Sequence, residues 1–192
     1  MIRSALVTFL STPGFALGAV IGVALALPAL AVGPEDDTPP TPTQTTTICA
    51  EGMVWDQTTQ ACIAIQDSRL DHDALIGAAR ELAYADRHAD AIALLQMAAD
   101  PDDSMVLTYL GFSHRSAGRM DTGLGYYDRA LTQDPDNLLA RAYMGMAFVQ
   151  LGRDADATAQ LVEIRARGGA GGWPGRALAA AIRDGDTSAY DY

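Results

Sequence analysis

The chain has 192 residues, 49% of them hydrophobic and 7% aromatic, enough for one domain of ordinary size with appendages. Its formal net charge of −11 excludes a nucleic-acid binder, which needs a basic face to displace phosphate counterions. All 13 cations are Arg and Lys is absent, a bias that points to a GC-rich bacterial genome and carries no chemistry of its own.

Residues 1–31 read as an address. Arg3 is the only charged side chain before Glu35, Phe15 to Leu27 is an uncharged apolar run, and Pro28 precedes Ala29-Leu30-Ala31. A positive start, an apolar centre and an A-x-A end predict a secretory signal peptide, so the mature protein is expected in the periplasm or outside the cell. The alternative is an uncleaved anchor in the inner membrane, because the apolar stretch from Phe15 to Val32 is near the lower length limit for a span. Removing residues 1–31 takes away Arg3 and no acid, so the mature charge becomes one unit more negative than that of the whole chain.

The stretch from Val32 to Thr47 (VGPEDDTPPTPTQTTT) is rich in Pro and Thr and offers little to bury, which predicts an extended linker over residues 32–48. Cys49 and Cys62 follow, the only two cysteines, with a short loop between them. In an exported chain such a pair is expected to form a disulfide, worth about 3 kcal/mol in the chain-entropy model. A redox pair is the competing reading, but it normally has the tighter C-x-x-C spacing. Within the loop Met53-Val54-Trp55 reads as a strand, Asp56 to Thr59 as a turn and Cys62 to Ile65 as the returning strand. Residues 49–65 are thus expected to be a disulfide-stapled β-hairpin, with Trp55 as its small core. The loop is also similar to one disulfide segment of peritrophin-type chitin-binding modules, sharing the C-x-x-G spacing, the aromatic residue and the Asp-containing turn. That likeness spans Cys49 to Cys62 alone and implies a glycan-binding alternative.

The strongest signal is an internal repeat. Arg87, Arg119 and Arg153 recur at nearly equal intervals, and the same intervals relate Ala91, Gly123 and Ala157, then Leu95, Tyr127 and Leu161. Gly111 and Gly118 recur as Gly145 and Gly152, and Asp100-Pro101-Asp102-Asp103 recurs as Asp134-Pro135-Asp136-Asn137. Each unit predicts a helix with a small residue at its middle (Ala79, Gly111, Gly145), a short turn ending in Arg, and a second helix closed by Asp-Pro. This pattern, with its period of about 34 residues, resembles the tetratricopeptide repeat (TPR) family, most clearly over residues 104–137. His114 and Gly123 depart from the family pattern, and a Gly run replaces Asp-Pro after the third unit. The resemblance implies an all-α solenoid over residues 70–169 with three units, 72–103, 104–137 and 138–169. Residues 170–192 complete the chain as a Gly-rich turn, a capping helix from about Pro174 to Arg183, and a polar tail.

No catalytic constellation is legible. His72, His88 and His114 match no metal-ligand spacing, and Ser113-His114 lacks the G-x-S-x-G turn and lies in a predicted helix. The Asp-Pro turns lack the spacing and closing Glu of a calcium loop. No catalytic residue, metal or cofactor is therefore expected. The TPR resemblance implies instead a concave groove for an extended peptide. Carried onto this sequence, it would be lined by Arg80 and Tyr84, by Thr108, Tyr109, Phe112 and Arg115, and by Tyr143, Met146 and Gln150. The alternative for the aromatic residues is packing between units. The expected function is a non-enzymatic adaptor that binds a protein or peptide segment of the cell envelope or assembles with its own copies. The second reading is cell-wall attachment through the Cys49–Cys62 loop, with the repeats as a spacer.

Overall fold

The structure is a computed structural model and describes residues 41–187. The expected signal peptide, the first part of the linker and the end of the tail lie outside the described residues. Among the described residues no helix is long and apolar enough to cross a membrane. The described chain is mostly helical, with one small two-stranded antiparallel sheet near its start.

Six helices follow one another as three pairs. These are α2 (His72–Tyr84) with α3 (His88–Leu95), α4 (Ser104–Ser116) with α5 (Met120–Gln133), and α6 (Leu138–Gln150) with α7 (Asp154–Ala166). Their starts are set by the same chemistry each time. Asp71, Asp103 and Asn137 cap the first helices, accepting from the amides of Ala74, of Met105 and Val106, and of Ala140. The turn within each pair also recurs. Asp86, Gly118 and Gly152 adopt φ of 59°, 78° and 69°, and the next amide, that of Arg87, Arg119 or Arg153, returns to the carbonyl of Leu82, His114 or Phe148 at 2.8–2.9 Å. That left-handed residue and return bond stop each first helix. The period in the sequence is therefore a period of caps and turns.

The α4–α5 pair crosses with almost nothing between the backbones. A Cβ on Gly111 would stand 2.5 Å from the Tyr127 ring, and one on Gly123 would stand 2.9 Å from the Gly111 carbonyl oxygen. Gly123 is thus required by the close approach of this pair. At the junction of the second and third pairs, the Asn137 side-chain amide donates to the hydroxyls of Ser104 (2.8 Å) and Thr108 (3.0 Å), while Ser104 Oγ donates to the Ala130 carbonyl. The array ends in α8 (Trp173–Asp184), which packs on α6 and α7 and seats Leu178 where a Gly145 Cβ would have been.

The other end is closed by residues before α2. Strand β1 (Met53–Asp56) pairs with β2 (Ala61–Ala64) in the register Trp55 to Cys62, and the Cys49–Cys62 disulfide is formed. The disulfide does not bridge the two strands. It ties β2 to a residue just after a short helix, α1 (Gln44–Thr47). This helix is a correction, because the linker expected over residues 32–48 is folded at its end. Glu81 of α2, only 6% exposed, accepts from the Thr43 amide at 2.7 Å and from the Thr43 and Thr46 hydroxyls. Trp55 is also not the core of the hairpin. It is half-buried, and the fully buried side chain is Val54, which joins Ile65, Leu75 and Leu82 in the main core.

Arg87 fastens this module to the first helix pair. Its guanidinium donates to the carbonyls of Thr45 (2.8 Å), Cys49 (3.1 Å), Ala50 (2.8 Å) and Met53 (3.1 Å) and pairs with Asp90. Asp90 in turn accepts the Gly52 amide at 3.0 Å.

Two outcomes follow from these contacts. Arg87→Ala should lower stability by about 2–3 kcal/mol, and Arg87→Lys should recover little of it, since one ammonium cannot reproduce the planar fork. Thermal melting and amide exchange over residues 45–55 check this, with exchange at least about tenfold faster in both variants. Gly123→Ala should cost about 1–3 kcal/mol. By contrast, Gly125→Ala, which places its new Cβ in open space, should stabilise by up to about 1 kcal/mol in chemical denaturation.

Candidate functional site

The first helices of the pairs, α2, α4 and α6, lie side by side, and α8 continues the row. Their facing side chains form an unbroken aromatic series. The Tyr84 ring stacks on Phe112 at 5.5 Å, Phe112 meets Tyr143 at 5.1 Å, and Trp173 sets its ring across Tyr143 at 5.8 Å. The hydroxyls of Tyr84 and Tyr143 share a hydrogen bond of 2.8 Å. Two guanidiniums lie over this series, that of Arg80 at 5.7 Å from the Tyr84 ring and that of Arg115 at 5.6 Å from Phe112. The guanidiniums pack against ring faces, with Arg80 and Tyr84 half-buried at the edge and Phe112, Tyr143 and Arg115 buried.

Tyr127 of α5 lies beneath, fully buried, with its ring 6.3 Å from Tyr143. Burial pushes its phenol up to about 12, and the nearby Arg115 cation only partly offsets this, so it stays a neutral hydroxyl. His88 sets its edge toward Phe112 at 6.3 Å. Burial lowers its pKa, against the pull of Asp86, whose carboxylate is 3.6 Å away, and Arg119 lowers it further. His114 packs on Tyr126 at 5.2 Å and accepts from Arg119 Nε through Nδ1 at 2.9 Å. Its pKa is lowered by burial first and by the Arg119 charge second.

The residues expected to line a groove separate into four sets. Tyr84, Phe112, Tyr143, Arg80 and Arg115 are brought together as described. Tyr109 and Met146 belong to the same buried cluster, and Phe112, Arg115, Tyr109, Tyr143 and Met146 are all 5% exposed or less. This is packing between neighbouring helices, the alternative reading of the aromatic residues. Thr108 leaves the face altogether. Its hydroxyl donates to the Ser104 carbonyl at 2.6 Å and accepts from Asn137, so it serves the junction between pairs. Gln150 is exposed at the end of α6 and donates to the Thr187 hydroxyl at 2.7 Å.

Glu81, Asp90 and Trp173 are structurally telling residues that the sequence did not single out. Glu81 carried a signal, an acid inside the apolar stretch of a predicted helix, but its partners Thr43 and Thr46 are remote in sequence. Ser113 is buried, and the Nδ1 of His114 is engaged by Arg119. Among the described residues no group of three or more His, Cys, Asp or Glu side chains is arranged to hold a metal ion. Comparison with protein-family models, with curated proteins and with solved structures finds no match to this chain.

The histidines generate a pH prediction. Folding depresses both pKa values below the ordinary 6.5, so the unfolded chain binds more protons near that pH. The stabilisation is complete above about 6.5 and is lost as pH falls through the lower folded values. The melting temperature should decline from about pH 7 to about pH 5, and less steeply in His88→Asn/His114→Asn. Parallel profiles for the two proteins would assign the acid sensitivity elsewhere.

Proposed function

We propose that the chain is an exported, non-enzymatic interaction module of the TPR type that holds an extended protein segment of the cell envelope against its first helices. The single observation that carries this reading is the half-buried pair at the rim of the aromatic series, the Arg80 guanidinium lying 5.7 Å from the Tyr84 ring. Aromatic residues and Arg are the types that anchor partners at interfaces. The regular recurrence of caps and left-handed turns along the chain supports the repeat-family assignment. The disulfide is consistent with an oxidising compartment and hence with export.

The half-buried Arg80 is the place to test it, because changing it does not open the core. The mature chain and its Arg80→Glu variant would each be cross-linked in an envelope extract of the source organism. The reading expects a captured protein that falls at least about tenfold with the variant, the size of one lost charge-assisted contact. Equal capture, with melting unchanged, would remove this face as the binding site.

A further inference from the structure

We propose that the Cys49–Cys62 disulfide is a reversible latch, and that a dithiol reductant which opens it releases residues 43–65 from α2 and α3 while the helix pairs stay folded.

The first argument is where the bond lies. Both cysteines precede α2, so the disulfide closes a loop inside the covering module and ties no helix of the array to another. The pairs hold themselves through their own caps, their left-handed turns and the close α4–α5 crossing. A bond placed in this way governs the attachment of the cover and leaves the folding of the array to the array.

The second is what the closed loop contains. Of the carbonyls that hold Arg87, those of Cys49, Ala50 and Met53 lie in the loop, and so does the Gly52 amide that bonds Asp90. They converge on one guanidinium because the bond fixes residue 49 against β2. In the chain-entropy model, cutting the bond makes closure of a loop of this size less favourable by about a hundredfold. What remains is a helix of four residues and a two-stranded hairpin, each too small to persist alone. As they leave, Val54 and Ile65 withdraw from Leu75 and Leu82 and open an apolar edge to water.

Access favours one direction of attack. Cys49 is only 6% exposed, whereas Cys62 is half-buried on β2, which among the described residues has β1 as its one strand partner. A thiolate of the reductant attacks Cys62 Sγ, the S–S bond breaks, and the electron pair leaves on Cys49 Sγ, which takes up a proton. The reductant's second thiolate then attacks its own sulfur in the mixed disulfide and releases Cys62, which is protonated in turn. Two electrons pass to the protein, and the reductant becomes a disulfide.

The test uses the full mature chain, dithiothreitol as the reductant, and a Cys49→Ser/Cys62→Ser variant. Alkylation of free thiols reports opening, and amide exchange read by mass spectrometry reports release. With both thiols free and no denaturant present, exchange over residues 43–65 should rise about ten- to hundredfold while α4 to α8 are unchanged. Oxidised glutathione should restore the parent rate, and the variant should exchange fast over the same residues and ignore both reagents. A disulfide that opens in dithiothreitol only when the chain is denatured would overturn the proposal. Unchanged exchange over residues 43–65 with both thiols free would do so too, because the clamp then needs no bond, as would release that oxidised glutathione does not reverse. Loss of protection in α4 to α8 at the same time, or a variant that does not fold, would make the disulfide a staple of the whole fold and overturn the latch as well.

Discussion

An array of helix pairs has two ends, and each leaves apolar surface open unless something covers it. At the first end the cover is held by one guanidinium. Arg87 sits at the turn where α3 begins, and its donors spread over four carbonyls of the α1–β1 segment while Asp90 holds its remaining edge. A two-stranded hairpin is marginal in isolation, so without this clamp β1 and β2 would have little reason to stay on the helices. Desolvating a guanidinium is costly, and only a full set of acceptors offsets it. Backbone carbonyls arranged by a disulfide-closed loop are such a set. The order of dependence runs from the disulfide to the loop, from the loop to Arg87, and from Arg87 to the closed edge of α2 and α3.

The same position is put to other uses in the later units. Arg119 donates to His114, and Arg153 pairs with Asp156 while its guanidinium lies 4.4 Å from the Phe148 ring. What the repeat preserves is the turn, with a left-handed residue followed by an amide that returns to the helix. What varies is the side chain's errand, because at Arg87 the segment before α2 supplies backbone carbonyls beside the turn. At the far end, α8 closes by fit instead of by charge, Leu178 filling the hollow at Gly145 and Trp173 extending the aromatic series.

This difference explains what could be read from the sequence and what could not. Caps and turns are local, and α2, α4 and α6 start directly after Asp71, Asp103 and Asn137; α5 runs up to Asp134-Pro135, whereas α3 ends at Leu95, short of the Asp100-Pro101 expected to close it. The short helix α1 has no such signature. Its sequence, QTTT, carries no apolar periodicity, and what folds it is a buried carboxylate from α2 together with Arg87. Depth is equally invisible to periodicity. Phe112 and Arg115 fall on one helical face whether that face is open or packed, and Thr108 shares the stripe while serving the junction with Asn137. The stapled loop was legible as a disulfide but not as a cap, since nothing in residues 49–65 reports that Arg87 waits for their carbonyls.

The chemistry of the central face follows from how closely its helices approach. Tyr84, Phe112 and Tyr143 are near enough to stack, and the outer two share a hydrogen bond past the middle one. A partner gains little by burying rings that already bury each other, so its affinity must come from the rims, where Arg80 lies over Tyr84 and Trp173 is half-buried. On the proposed reading, the Arg80 cation at that rim, on a chain of net charge −11, sets the sign of the segment it favours. A neutral apolar segment would find a filled surface, whereas a segment carrying a carboxylate beside an aromatic ring would find both a charge and a ring edge to meet.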